Sequence, residues 1–368
     1  MSMGARSVIR LPPMPTVNDL LKLYKIHAEK KLSQNFLLDR NLCKRIVKTS
    51  GNLKNCHVCE IGPGPGSITR AILEEDIAKL SVIEKDHKFR PNLEMLEDAV
   101  KGKMCIEWGD ILNYDFEKMF DKTLKKDWNE HSPDIRVIGN LPFNISTPLI
   151  IKLLKQMSEK SGLFSYGRTK LTLTFQSEVA ERLFAPPGHH QRCKLSVMAQ
   201  YLSDVKYNFI ISVQSYLSDL ISVRNTVNKT CVSYETRLNV PDYAQKHVGA
   251  RAFSGVAPRL WNVLPVSIRE AFKPPPKVCV GVVSFTPLKF PLINQPFDLV
   301  SKIVKTIFTH RQKKCIKTLR LLVPEDIAVT ILRKADVDSC KRPYQLSTKE
   351  FSRICDAYHE MSLLIQNK

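Results

Sequence analysis

No run of apolar residues in the 368-residue chain approaches the roughly 18 needed to cross a bilayer, so neither a membrane-spanning helix nor a membrane partner is expected. No secretory leader is expected either. The ten cysteines are scattered at irregular spacing, which argues against a disulfide scaffold and for a reducing compartment. The one close pair, Cys56 and Cys59, is a CxxC without a second CxxC to complete a zinc site. Cys59 lies inside an apolar run, so core packing is the better reading and no metal is assigned. Acids are in short supply: 36 Asp and Glu stand against 56 Lys and Arg, for a net charge of +20 and a pI near 9.5. Such a surplus attracts polyanions over long range and favours nucleic acid, although basic mitochondrial proteins share it. No acid precedes Asp19, and Arg6 and Arg10 with two serines are compatible with a mitochondrial targeting segment or with an ordinary tail.

What is present is organised around Val58-Cys59-Glu60-Ile61-Gly62-Pro63-Gly64-Pro65-Gly66. A short apolar run ends in an acid, turns on alternate glycines and passes into the helix-like Ser67 to Leu73, which reads as strand, tight loop and helix. Glycine permits both positive φ and close approach of an adenosine-containing ligand to bare backbone, while the interleaved prolines stiffen the loop. The spacing is G-x-G-x-G and differs from the G-x-G-x-x-G of dinucleotide sites, so no pyrophosphate is required. Taken alone, the loop is as compatible with a plain chain reversal.

Its context lowers the weight of that alternative. Leu80 to Asp86 reads as a second strand, and Glu84 at its end stands about twenty positions beyond the loop, where an acid accepts from a ribose diol. Met104 to Ile111 repeats the pattern and offers Asp110 to an adenine amino group, and Ile135 to Gly139 runs straight into Asn140-Leu141-Pro142-Phe143. Four strands with polar ends, separated by helical stretches, imply a parallel doubly wound α/β sheet with its site along the strand ends. The last of these turns carries the most specific chemistry. Methylating an exocyclic amine such as adenine N6 requires drawing its lone pair out of ring conjugation, and acceptors on the amino hydrogens assist. The Asn140 amide oxygen and the Leu141 carbonyl suit that role, Pro142 offers no competing donor, and Phe143 suits stacking on a flipped base. Phe175, at the end of a later strand, is either a second wall of that base pocket or core. Gln34 and Asn35 either bind a ligand or cap a helix running from about Arg40 to Ser50. A basic amphipathic helix is expected from Val17 to Lys31.

In order, QNFL (34–37), EIGPGPG (60–66), IEKD (83–86), GDIL (109–112), IGNLPFNISTPLI (138–150), TFQSEVAERL (174–183) and LSVMAQY (195–201) resemble the ribosomal RNA adenine dimethyltransferases, and among these the mitochondrial members. The resemblance covers residues 11–210 and 272–362. It implies a class I, Rossmann-like methyltransferase domain with a small carboxyl-terminal helical domain. It also implies S-adenosylmethionine as cofactor and two adjacent adenines near the 3′ end of small-subunit ribosomal RNA as substrate. Gln34, Asn35, Leu37, Gly62, Gly64, Glu84, Lys85, Asp110 and Asn140 are then expected at the cofactor, in a monomeric mitochondrial matrix enzyme that meets the ribosomal subunit. The rival reading is a non-catalytic nucleic-acid-binding factor on the same scaffold, serving the mitochondrial transcription machinery or ribosome assembly.

Arg192 and Lys194 are candidate phosphate contacts, as are Arg311, Lys313 and Lys317 within a basic helix expected over 308–320. Gln312 stands where relatives carry a second arginine. About sixty residues after Ile210 have no counterpart in the family pattern, which resumes with the F-x-P-x-P-x-V of Phe272 to Val278. Within them, residues 249–265 resemble the tail of LINE-type reverse transcriptases, as an exonised mobile-element fragment would. The expected domains are therefore a leading segment over 1–31, the methyltransferase over 32–285 with a loosely ordered insert at 212–270, and an RNA-binding helical domain over 286–368.

Overall fold

The apolar runs that end in acids become neighbouring strands. A computed structural model describes residues 15–23, 36–37, 39–211, 272–273 and 279–366, and the fold is that of these residues. The strands are β1 (Phe36–Leu37), β2 (His57–Ile61), β3 (Lys79–Glu84), β4 (Met104–Trp108), β5 (Ile135–Gly139), β6 (Lys170–Gln176), β7 (Ser203–Ile211), β8 (Phe272–Lys273) and β9 (Val280–Pro287). Between them run α1 (Val17–Leu23), α2 (Arg40–Thr49), α3 (Ser67–Leu73), α4 (Arg90–Ala99), α5 (Phe143–Glu159), α6 (Ser177–Phe184) and α7 (Lys194–Gln200).

Seven strands form one sheet in the order β4-β3-β2-β5-β6-β9-β7. The first five are mutually parallel, while β9 is antiparallel to both strands it separates, β6 and β7. The chain moves outward from β2 to β3 and β4, then returns to the other side of β2 at β5. That reversal opens a crevice above the carboxyl ends of β2 and β5, where doubly wound sheets bind ligands.

Side chains along each strand alternate between two cores, as the period of a strand requires. Val58, Val82 and Ile138 join Ile46, Ile72 and Leu93 from α2, α3 and α4 on one face. Cys59, Ile83 and Val137 join Leu149 and Leu153 of α5, and this second core continues into the carboxyl-terminal helices through Val300, Ile303 and Phe351. Cys56 belongs to the first core and Cys59 to the second, so the CxxC is divided between the two faces and does not converge.

The carboxyl-terminal helices span Phe297–Ile307, Cys315–Leu319, Glu325–Lys334 and Thr348–Gln366. The single basic helix expected over 308–320 is broken: a 3-10 turn at Phe308–His310 is followed by turns, and Cys315 begins a new short helix. The break has a local cause. Lys314 is extended, and Cys315 turns into the core with its N–H donating to Lys341 O at 2.8 Å. At the other end of the chain, the expected helix over 17–31 is seen as α1, and 24–31 lie outside the described residues.

The segment 212–270 also lies outside them, but its attachment points do not. Ile211 and Val280 are register partners at the sheet edge reached by the end of β6, because Gln176 also pairs with Val280. Just before β9 in sequence, Phe272–Lys273 pairs with Phe36–Leu37.

Candidate functional site

The glycine loop is built as its sequence requires. Gly62, Gly64 and Gly66 have φ of 67°, 53° and 87°, the left-handed region that L side chains avoid. At Gly66 a Cβ would also lie 2.7 Å from Leu96 Cδ1, so a larger residue would have to push that side chain of α4 aside as well as hold a left-handed backbone. The loop overhangs a cavity of about 420 Å³ above the ends of β2, β3, β4 and β5. Its lining includes Leu37, Gly62, Gly64, Glu84, Lys85, Asp110, Asn140 and Pro142, so residues from five separate stretches of chain are brought together.

Glu84 closes β3 and is buried. Its Oε2 accepts from Gly64 N–H at 3.0 Å, and its Oε1 accepts from Lys85 N–H at 2.8 Å and Asp86 N–H at 2.9 Å. One carboxylate thus ties the glycine loop to the turn after β3. Burial raises its pKa, and the three amides oppose that shift. Only the backbone of Lys85 binds Glu84; its ammonium reaches Asp110 Oδ2 at 2.8 Å. Asp110 Oδ1 meanwhile accepts from Leu112 N–H at 3.0 Å, and Lys85 first of all holds the carboxyl below its usual range.

Two residues that the sequence reading gave no role shape the site as strongly. Glu60, the acid at the end of the first apolar run, lines the cavity and is 1% exposed. Its Oε2 has no hydrogen-bond partner, and burial lifts its pKa to about 8. Thr69 is close enough to oppose the shift, but its hydroxyl closes no hydrogen bond. Lys152, on α5, donates to the carbonyls of Ile111, Leu112 and Tyr114 at 3.3, 2.8 and 3.2 Å and so secures the loop that follows Asp110. The acid was legible as a polar end to an apolar strand; the lysine carried no signal.

At the Asn140 turn, β5 ends against β6. Thr174 Oγ1 accepts from Leu141 N–H at 3.1 Å and donates to Asn140 Oδ1 at 2.9 Å. Asn140 and Pro142 face the cavity, Leu141 is buried, and Phe143 begins α5 half-buried beside the first core. Phe175 is not a wall of the cavity. It is fully buried and meets Phe285 edge-on at 6.1 Å, because its position on β6 points it into the second core. Gln34 and Asn35 lie outside the described residues, and α2 is capped instead by Asp39, whose Oδ1 accepts from Leu42 N–H at 2.7 Å.

Arg192 is likewise not a phosphate contact. It is 0% exposed. Its guanidinium donates to Leu346 O, Ala185 O, Gln200 Oε1 and Thr348 Oγ1 at 3.1, 2.8, 2.8 and 3.3 Å, clamping the loop before α7 to the last helix. Burial lowers its pKa to about 10. Lys194 is half-buried, and both burial and nearby Lys305 lower its pKa. Arg311 stacks its guanidinium 5.5 Å from the Tyr344 ring centre, whereas Lys313, Lys314 and Lys317 are exposed.

With this geometry in place, the chain can be set beside known proteins. The family model described as ribosomal RNA adenine dimethylase matches residues 26–360. Dimethyladenosine transferase 1, mitochondrial, of Homo sapiens is 44% identical over 362 residues, covering 97% of this chain and 88% of the relative. The Drosophila melanogaster protein of that name is 35% identical over 364 residues, covering 96% and 91%. Among solved structures, a dimethyladenosine transferase from Plasmodium falciparum superposes with a TM-score of 0.56 at 17% identity, over 88% of this chain and 97% of that one. The 23S rRNA methyltransferase ErmE gives 0.53 at 17% identity, over 88% and 98%. The shared architecture is the class I methyltransferase fold.

Proposed function

The chain belongs to the ribosomal RNA adenine dimethylase family, and from that premise we propose that it transfers methyl groups from S-adenosylmethionine to N6 of two adjacent adenines. We place the substrate in the 3′-terminal hairpin of mitochondrial small-subunit ribosomal RNA, in the matrix, during assembly of that subunit. The observation that carries the reading is convergence: Asn140 of the amine-holding turn lines the same cavity as Glu84 and Asp110.

The cavity's residues fit the cofactor. Buried Glu84 suits a ribose, Asp110 an adenine amino group, and the unpartnered Oε2 of Glu60 a group that brings hydrogen-bond donors or positive charge. When bound, the cofactor supplies an electrophilic methyl on sulfur. The protein's part is to hold the acceptor. Asn140 Oδ1 and the Leu141 carbonyl accept the amino hydrogens, which draws the nitrogen out of conjugation as it becomes tetrahedral. Pro142 keeps a competing donor out of the turn, and Phe143 stacks on the flipped base. The methylated amine is acidic enough to lose its proton to water, so no strong base is required. RNA lies along a basic surface formed by Lys194 at the start of α7 and by Lys305, Lys313, Lys314 and Lys317 of a clamping unit over 286–368.

The test is Asn140→Ala. The variant is expected to bind S-adenosylmethionine as the wild type does, yet to methylate the hairpin adenines at a much reduced, still measurable rate, followed over time by primer extension, which N6-dimethyladenine arrests. Methylation within about twofold of wild type would refute the assignment.

A further inference from the structure

The hydroxyl of Thr174 occupies a position that packing alone does not explain. Thr174 lies on β6 with no exposure, one residue beyond Leu173, which pairs with Gly139 of β5. A valine there would serve a buried strand equally well. The hydroxyl instead touches both residues that begin the amine-holding turn: it accepts from Leu141 N–H at 3.1 Å and donates to Asn140 Oδ1 at 2.9 Å. A hydroxyl has one hydrogen and two lone pairs. Because Leu141 N–H donates to the oxygen, the hydroxyl's own hydrogen needs an acceptor, and the Asn140 amide must present oxygen to it. With the opposite flip the amide NH2 would take the second lone pair and leave the buried hydroxyl hydrogen without its acceptor. The same contact satisfies Leu141 N–H at the point where Pro142, having no N–H, ends the run of backbone donors.

Resting on the function proposed above, we infer that Thr174 is a positioning residue for methyl transfer: its hydroxyl fixes which atom of the Asn140 amide meets the target amine and pins the peptide between Asn140 and Leu141. An amide oxygen accepts twice, so donation from Thr174 does not exhaust it and, by polarising the group, strengthens it as an acceptor. Thr174 touches neither the amine nor the cofactor. Its influence passes through Asn140. Adding the second methyl needs this control most, because a monomethylated amine has a single hydrogen left to be held.

The experiment compares Thr174→Val, Thr174→Ala and Thr174→Ser, each alone and in the Asn140→Ala background. Single-turnover methylation, cofactor titration and nucleoside mass spectrometry are the readouts. Thr174→Val and Thr174→Ala are expected to lower the rate by about tenfold or more while the cofactor Kd stays within about twofold. The ratio of mono- to dimethyladenine should rise, and Thr174→Ser should restore both rate and ratio. In the Asn140→Ala background valine should have no further effect, since the group it acts through is gone.

Wild-type rate and ratio in Thr174→Val would overturn the inference. So would a serine variant as impaired as valine, a valine effect that multiplies with Asn140→Ala, or failure of both valine and alanine variants to fold. Should the wild-type protein itself bind cofactor and leave adenine unmodified, the functional reading falls and takes this inference with it. That result is recognisable because it appears without any substitution.

Discussion

Replacing Glu84 tests the link between the glycine loop and the cofactor, and the structure sets the size of the effect. A carboxylate offers about four acceptor sites. Three are occupied by the amides of Gly64, Lys85 and Asp86. One good site therefore remains for a ribose hydroxyl, although the sequence alone suggests two such bonds. A charge-assisted hydrogen bond is worth about 1.5–3 kcal/mol, which is roughly a tenfold to hundredfold loss of cofactor affinity on removal. Glu84→Gln is the more searching variant, because its NH2 must face at least one of the three backbone donors and so should bind no better than Glu84→Ala. Burial raises the pKa of Glu84, and its protonated form cannot accept as strongly. Affinity is therefore expected to start falling, as pH is lowered, above the usual carboxylate range. Calorimetric titration with S-adenosylhomocysteine measures all of this, with RNA binding as the control that should not move. A glutamine variant within about twofold of wild type would show that the carboxylate is a strut for the turn and not a ligand for the ribose.

Glu60, lifted to about 8 by burial, holds a proton in the folded chain that the unfolded chain has released between about pH 4.5 and 8. Its contribution to stability is complete below that window and is lost as pH rises through it. Thermal melts of the cofactor-free protein should therefore decline more steeply over the window than those of Glu60→Gln, and parallel curves would refute the assignment. Arg192→Met removes the donors to Leu346 O, Gln200 Oε1 and Thr348 Oγ1, whereas Ala185 O keeps its bond from Gln200 Nε2; leaving a buried acceptor unsatisfied should cost about 1–3 kcal/mol in denaturant unfolding and leave the salt dependence of RNA binding unchanged, and the reverse pattern would restore Arg192 to the RNA surface. Replacing Lys313, Lys314 and Lys317 together with glutamine should reduce the slope of log K against log salt by about two to three, measured by fluorescence anisotropy, and an unchanged slope would move the RNA elsewhere.

The parts of the site that could be read from sequence are those in which chemistry and backbone geometry are specified locally. Gly62, Gly64 and Gly66 announce a turn because no other residue tolerates it. Glu84, Asp110 and Asn140 announce the ligand edge because each interrupts an apolar run. What stayed hidden depends on distant neighbours. Arg192 looked like a surface charge because charge normally marks solvent, and only the carbonyls of Ala185 and Leu346 reveal it as buried. Phe175 follows the strand period into the core, but its choice of face needs β9 for a partner. Thr174 and Lys152 are ordinary residues in strand and helix sequences, and their roles exist only through contacts some 30 to 40 positions away in the chain. The antiparallel arrival of β9 had no local mark at all.

That arrival also dictates the order in which the molecule can be completed as it leaves a ribosome. β6 and β7 are made first and share no ladder; each waits for β9, which comes about seventy positions after β7 ends and must slot between them. Until then the nascent sheet stops at β6, with the backbone donors and acceptors of Lys170–Gln176 open along one side and the apolar Leu171, Leu173 and Phe175 beside them. Synthesis thus passes through an interval in which the site-bearing strands are all present while the sheet is unfinished. Chains released within it should depend on holding chaperones, and a transcript cut short anywhere between the codons for residues 212 and 279 should yield aggregate and not a smaller enzyme.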